Sequence, residues 1–283
     1  MPHVSVMTFN MWRIAGYPAK WPHRRLSILE CLKVFTPDVL CVQELHPLLH
    51  DTIVEALPKH KFVQDDFESW QFMENIYWNS NMFDMLQYGV VDIGMVHAPK
   101  RLFWVLLKFI SSDRDTKLLV ATAHYTWQGN IEERKSDMNL RKQQAHRTVS
   151  ALNDLVAEFG GPELPVLFMG DLNENYHPRR ILYEAGFIDC FTELRLPAPA
   201  THPQRPSAPE EDILSDQALD WIMQNKYARP LLANVIKDML CTNGCIVSDH
   251  CPVMCMYEVG SGPYPSNTIQ DLSDRNIVKL PEF

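Results

Sequence analysis

Two short segments of this 283-residue chain set acid, amide and imidazole groups at the edges of apolar runs: Gly170-Asp171-Leu172-Asn173 and Ser248-Asp249-His250-Cys251-Pro252-Val253. A strand end is rigid enough to fix a side chain and open enough to meet a substrate, so polar groups there point to chemistry rather than packing. Alone, Asp171 and Asn173 read equally well as a turn pair, because both residue types bond their own backbone and tolerate unusual dihedrals. Further polar groups close other apolar runs: Asn10 after 4–9, Glu44 at the end of 38–44, His124 at the end of 118–124, and Asp220 within 219–223. Each has a structural reading of its own. His124 suits a satisfied core histidine, Asp220 a strand carboxylate paired with an arginine, and Glu44 the neighbour of a Pro-started helix. If the strand ends converge, they make a site with several acids, two histidines and two amides. Oxygen donors without a thiolate suit a hard cation such as Mg2+ or Mn2+ better than zinc.

The elements that must hold these groups alternate along the chain. Residues 4–9 and 38–44 read as buried strands around an amphipathic helix at 21–35, and 47–57 suits a second helix. Extended segments gather at 75–78, 82–91, 102–110 and 118–124, with turn signals between them that predict antiparallel pairing. The longest helical pattern, 136–159, places Ala145, Val149, Leu152, Leu155 and Val156 at helical spacing and stops at Gly160-Gly161-Pro162. A strand at 166–169, a helix at 179–185 and strands at 219–223 and 253–259 complete the order. Such mixed β-rich runs predict an α/β fold built as a two-sheet β-sandwich flanked by helices.

Composition narrows the function classes. A chain that is 46% hydrophobic and 22% charged, with no Gly/Ser linker or repeat, reads as one large globular domain. The Pro-rich stretch 197–209 reads as a surface loop inside it. The opening residues alternate like a strand rather than a signal peptide, and no run is long and apolar enough to span a bilayer, so the expectation is a soluble, intracellular protein. Cys241, Cys245, Cys251 and Cys255 form two C-x3-C pairs, but Cys251 and Cys255 lie on a buried-strand pattern where cysteine is a small hydrophobe, which disfavours structural zinc. A net charge of -9 disfavours a protein that grips a long duplex. Arg134, Lys135, Arg141, Lys142 and Arg147 form the one candidate basic patch, and the interleaved Glu132, Glu133 and Asp137 favour a solvated helix face instead.

In order and spacing, Thr8-Phe9-Asn10, Gln43-Glu44, Thr122-Ala123-His124, Gly170-Asp171-Leu172-Asn173, Leu219-Asp220-Trp221-Ile222 and Ser248-Asp249-His250-Cys251-Pro252-Val253 resemble the motifs of the endonuclease/exonuclease/phosphatase superfamily, over residues 3–259. Asn75-Ile76-Tyr77-Trp78 and Arg141-Lys142-Gln143-Gln144 resemble its framework segments. The resemblance implies a deoxyribonuclease I-like, four-layer α/β/β/α domain at 1–259, a C-terminal tail at 260–283, and a Mg2+-dependent phosphoester hydrolase of phosphodiesterase or nuclease type. It implies that Glu44, Asn10 and Asp249 hold Mg2+, with Mn2+ as the substitute. It further implies that Asp171 orients or deprotonates the attacking water, that Asn173 faces a phosphate oxygen or the nucleophile, and that His124 donates to a non-bridging oxygen. His250, held by Asp220, would be the general base or a cationic phosphate clamp, and the choice of base between Asp171 and His250 stays open. Glu74 is a weaker candidate, for the acid that orients the first histidine in some members.

Departures from subfamily patterns bear on the substrate. Trp12 stands where exonuclease III-type members carry a second acid or amide, and Ala218-Leu219-Asp220-Trp221-Ile222 lacks the Pro-Ala-Trp-Cys-Asp-Arg signature of inositol 5-phosphatases. His124-Tyr125 followed by Arg141-x-x-Gln144 echoes deadenylases across a longer insertion. The expected partner is a phosphoester, either single-stranded nucleic acid or a small phosphodiester. The alternatives are a small-molecule or lipid phosphatase of the same superfamily and a catalytically silent binding member.

Overall fold

The computed structural model describes residues 1–13, 21–97, 100–111, 115–204, 216–237, 246–260 and 262–264, without the side chains of 21–23. The first part of the chain forms β1 (His3–Asn10), α1 (Trp21–Phe35), β2 (Val39–Gln43), α2 (Pro47–Ala56), β3 (His60–Phe62), α3 (Ser69–Phe72) and β4 (Glu74–Asn79). The middle forms β5 (Phe83–Val91), β6 (Leu102–Phe109), β7 (Lys117–His124), α4 (Ile131–Ser136), α5 (Leu140–Phe159) and β8 (Val166–Asp171). Then come α6 (His177–Glu184), β9 (Ile188–Asp189), α7 (Cys190–Glu193), β10 (Asp220–Gln224), β11 (Ala228–Val235) and β12 (Val253–Val259). The strands make two six-stranded sheets, ordered β11-β12-β1-β2-β4-β3 and β5-β6-β7-β8-β10-β9. Each has one parallel pair at its centre, β1 with β2 and β7 with β8, and the other pairings are antiparallel.

Strand alternation explains the layers. Side chains at i and i+2 share a face, so Val4 and Val6 of β1 turn inward to meet Phe103, Val105, Val120, Leu167 and Met169 of the other sheet. Met7 and Phe9, offset by one, turn outward and pack with Ile28, Leu32, Leu49 and Ile53 of α1 and α2. On the far side, Leu119, Ala121 and Phe168 pack with Ala145, Leu152 and Leu155 of α5 and Leu182 of α6. The result is the expected α/β/β/α sandwich. Because the central strands are covered on both faces, they read in sequence as continuous apolar runs.

Several local expectations are corrected. The helix expected at 136–159 begins later, at Leu140: a separate α4 ends at Ser136, Asp137 takes a left-handed φ of 54°, and Asn139 caps α5 by accepting from the Lys142 amide. Strand β11 lacks a clean alternating pattern because it is an edge strand, with a register shift against β12 between Pro230 and Leu232. Arg141, expected on a solvated helix face, is instead buried between Glu133 and Glu174, and Lys135 pairs with Glu132. That face therefore offers no free cluster at these two cations. Cys251 and Cys255 are buried thiols, while Cys241, Cys245, loop residues 205–209 and tail residues 265–283 lie outside the described residues. Among the described residues, no helix is long and apolar enough to cross a membrane.

Candidate active site

The two parallel pairs end side by side. In β1–β2 the last partners are Asn10 and Gln43, and in β7–β8 they are His124 and Asp171. Gln43 ties the two sheets together beneath the site, donating from Nε2 to Thr8 Oγ1 (3.1 Å) and across to Thr122 Oγ1 (2.9 Å). Gly170 is required for the second pair, because a Cβ there would lie 2.1 Å from the Ala123 carbonyl oxygen. The close approach sets His124 beside Asp171.

Past the strand ends the backbone turns sharply. Trp12, Glu44 and Asn173 all adopt left-handed φ values, 48°, 55° and 51°. Such conformations are uncommon for residues with a Cβ and gather at functional sites. Here the turn at Glu44 folds its carboxylate back over β1: Oε1 accepts from Asn10 Nδ2 (3.2 Å) and Oε2 from the Arg13 amide (3.1 Å). Asn10 Nδ2 also donates to Asp171 Oδ2 (3.0 Å), so one amide joins the acids of both sheets. Asn173 donates from its backbone to Asp171 Oδ1 (2.8 Å) and from Nδ2 to the Tyr125 carbonyl (3.0 Å).

The Ser248-Asp249-His250 turn is pinned to the same floor, with Ser248 Oγ donating to the Asn10 carbonyl (2.7 Å). It carries His250 to Asp220, Nδ1 to Oδ2 at 2.8 Å, and leaves His250 Nε2 3.8 Å from Asp171 Oδ2. Asp220 opens β10 directly across from Asp171, and its Oδ1 is buried without a partner. His124 Nε2 reaches Asp171 Oδ2 at 3.5 Å and Glu44 Oε1 at 3.9 Å. Asp249 accepts from Ser248 Oγ at 3.1 Å and faces His202, whose ring lies 4.6 Å from that of His250. All eight residues expected from sequence thus gather at one end of the sandwich. Asp249 is set to one side, on the His202 flank.

Electrostatics separates the groups. Burial pushes the Asp171 carboxyl up to about 7; Asp220 adds to this, while His250 and the Asn173 and Asn10 donors oppose it. Burial alone would lower His250, but the carboxylates of Asp220 and Asp171 outweigh it and push the imidazole well above its usual range. His124 moves the other way, held well below by burial and by the charges of Lys100 and His250.

A cleft of about 410 Å³ opens over Glu44, His124, Asp171, Asn173 and His250, with Asn10 and Asp220 buried behind it. Arg13, His97, Lys100 and the half-exposed Trp127 complete its wall. A second cavity of about 480 Å³, beside α2 and α3, contains none of the eight residues. The first cleft has the chemistry despite its smaller size, because the interlocked set of Asp171, Asn173, His124 and His250 opens into it. Glu44, Asn10 and Asp249 offer oxygen donors, and the buried Asp171 lacks a full countercharge, a donor set that fits a hard divalent cation. Asp171, Asp220 and His250 also converge closely enough to share an ion, but His250 Nδ1 is already committed to Asp220.

Sequence reasoning left out the cleft-wall residues Arg13, His97, Lys100 and Trp127, and His202 beside Asp249. Lys100 Nζ lies 3.0 Å from His124 Nδ1. His202 sits in the Pro-rich stretch and marks no motif. Glu74, the weaker candidate, is fully buried at the start of β4, paired in register with Gln43.

The sequence profile of the Endonuclease/Exonuclease/phosphatase family matches residues 7–250. Among solved structures, the chain is similar to D. rerio TDP2 complexed with single strand DNA product, at a TM-score of 0.70 and 17% identity, over 92% of this chain and 100% of that one. It is similar to a Bacteroides thetaiotaomicron mannosyl-6-phosphatase at a TM-score of 0.70 and 16% identity, over 90% of this chain and 99% of that one. A Bacteroides thetaiotaomicron protein of the endonuclease/exonuclease/phosphatase family gives a TM-score of 0.71 and 17% identity, over 90% and 98%. At these identities the likeness is one of fold. No match is found among curated protein sequences.

Proposed function

The chain belongs to the endonuclease/exonuclease/phosphatase family and is a hydrolase of phosphoester bonds, and from that premise we propose that it is a Mg2+-dependent phosphodiesterase that directs water in line at phosphorus. The observation that carries this reading is the position of Asp171 Oδ2, 3.0 Å from Asn10 Nδ2, 3.5 Å from His124 Nε2 and 3.8 Å from His250 Nε2. A buried carboxylate between an amide and two imidazoles is suited to fixing a water and taking its proton.

The divalent cation, held by Glu44 with Asn10 and Asp249, would supply Lewis-acid stabilisation of charge on the phosphate and leaving group. The chain's own groups do the rest. Asp171 orients the attacking water, and the Asn173 amide holds Asp171 in place while facing the cleft. His250, charged through Asp220, neutralises a phosphate oxygen, and His124 donates from Nε2 to a second oxygen as charge builds there. With His250 already protonated, Asp171 is the stronger candidate for the base.

We infer that the substrate is a single-stranded nucleic acid. Trp127 at the cleft wall is half exposed and offers a face for a base to stack on, with Arg13 close by for the backbone. The net charge of -9 speaks against an extended duplex footprint, and the similar D. rerio TDP2 was solved with single-strand DNA product. The test is a hydrolysis panel with Mg2+ and with Mn2+: single-stranded DNA and RNA, bis-p-nitrophenyl phosphate, a sugar phosphate and sphingomyelin. Turnover of single strands that vanishes with chelator and in Glu44→Ala is the expected result. Turnover of the sugar phosphate or of sphingomyelin alone would overturn the substrate, and equal inactivity of wild type and Glu44→Ala with every metal would overturn the hydrolase assignment.

A further inference from the structure

The two histidines of the cleft present different nitrogens to their supports, and the support of His124 is unusual. Its Nδ1 faces not a carboxylate or a carbonyl but Lys100 Nζ, at 3.0 Å. An ammonium carries three donors and no acceptor, so it can meet an imidazole nitrogen only where that nitrogen offers a lone pair. The other nitrogen, Nε2, is the one turned toward Asp171 Oδ2 at 3.5 Å and Glu44 Oε1 at 3.9 Å. Glu74, buried completely, feels the charge of Lys100 and lies by the His124 backbone amide, with no side-chain ion pair of its own among the described residues. A buried carboxylate in that state is costly unless a cation lies near it. Burial pushes the Glu74 carboxyl well up and the Lys100 ammonium down, and the charge of each partly opposes the shift of the other.

We propose that Lys100 is a positioning residue which donates to Nδ1 of His124 and so fixes the ring proton on Nε2, making His124 a neutral donor aimed into the cleft. The catalytic half of this inference rests on the phosphodiesterase reading above; the tautomer half does not. The arrangement has a chemical purpose. A histidine left to choose its tautomer points a lone pair at the phosphate part of the time, and a lone pair repels a non-bridging oxygen. Lys100 removes that state, as the carboxylate behind a catalytic imidazole does with the opposite polarity.

The experiment uses the full chain labelled with 15N-histidine, read by two-bond 1H–15N correlation, with the His124 signals identified by their loss in His124→Gln. In the wild type, Nδ1 is expected at the shift of an unprotonated nitrogen and Nε2 at that of a protonated one. Lys100→Met is expected to mix the tautomers or reverse them, and Lys100→Arg, which keeps a donor, to restore the wild-type pattern. In the hydrolysis assay, Lys100→Met is expected to lower kcat on the order of 10²-fold with little change in KM, and Lys100→Arg to recover most of the loss. A protonated Nδ1 in the wild type overturns the proposal, as does a Lys100→Met spectrum that keeps the wild-type tautomer. An unchanged kcat in Lys100→Met, beside a dead Glu44→Ala, overturns the positioning role and leaves the hydrolase reading standing. If no substrate turns over at all, the hydrolase reading fails and the spectra still decide the tautomer.

Discussion

His250 and His124 approach the same oxygen of Asp171 from two sides of the cleft, at 3.8 and 3.5 Å, and each is gripped at Nδ1 from behind. Behind His250 is the carboxylate of Asp220 at 2.8 Å; behind His124 is the ammonium of Lys100 at 3.0 Å. The supports drive the two rings apart: acids push His250 well above the usual imidazole range despite its burial, and burial with Lys100 pulls His124 well below it. Two copies of one residue type, a few ångströms from a shared neighbour, are thereby given a charged role and a neutral role. Environments that split like groups in this way assign acid and base functions without any change of residue type. Asp171 is left between one cation and one neutral donor, which helps to explain how a fully buried carboxyl stays in the neutral range, at about 7.

The largest effect is expected from breaking the His250 side. Asp220→Asn keeps the shape but exchanges an acceptor carboxylate for an amide, so His250 loses the group that holds it protonated. The expected loss in kcat is roughly 10³-fold, larger than for Lys100→Met, because a charge as well as a tautomer is lost. Rates measured side by side for the two variants test the comparison. Equal losses would mean that the two histidines share one role.

The His250 half of the comparison was far more legible in sequence than the His124 half. Leu219-Asp220-Trp221-Ile222 and Ser248-Asp249-His250 each border apolar runs, and strands buried on both faces make such borders visible. Asp171 and Asn173 were visible for the same reason, although their turn-like composition hid that β8 continues to Asp171. Lys100 precedes Arg101 just before β6, where a pair of cations reads as surface, and only the packing of a loop against the end of β7 brings Nζ to His124. The ambiguous spacing of Glu74 is explained by the pairing of β2 with β4, which sets Glu74 opposite Gln43. No local periodicity encodes either contact, since each joins residues from different strands or loops. The break between α4 and α5 was hidden because the hydrophobic spacing that runs through α5 gives no sign of the left-handed turn at Asp137.

A second, smaller effect concerns the carboxyl between the two rings. A carboxyl whose folded pKa is raised, from 3.8 to about 7, favours folding while protonated and costs stability as pH rises through that interval. At pH 8 the whole penalty is present; at pH 3 it is absent. Asp171→Asn removes the titration. In metal-free protein at pH 8 it should raise stability by roughly 3 kcal/mol, or several degrees in Tm, with the gain fading toward pH 4. Thermal melts of both proteins in chelator across that range provide the check. A variant less stable than the wild type at pH 8 would mean that His250 supplies a full countercharge, and that the asymmetry between the rings is smaller than argued.

The smallest effect tests whether an acid held mainly by arginine and amide donors behaves differently a short way from the cleft. Glu174 follows the Asp171–Asn173 turn and accepts from Arg141 Nε (2.9 Å) and Asn139 Nδ2 (2.8 Å), with His177 on its other oxygen. Burial would raise its pKa, but these donors prevail and hold it down to about 2. The sign is therefore opposite to that of Asp171. Stability from Glu174 is fully present above about pH 4.5, the unfolded value, and is lost as pH falls through that point toward 2. Glu174→Gln should cost about 2 kcal/mol at pH 7 and progressively less on acidification, because the wild type loses the same contribution there. Arg141 keeps Glu133 at 2.5 Å in the variant, which limits the cost. Urea unfolding at pH 7 and pH 3 measures both ends. A cost that stays constant between them would assign Glu174 to packing rather than to charge.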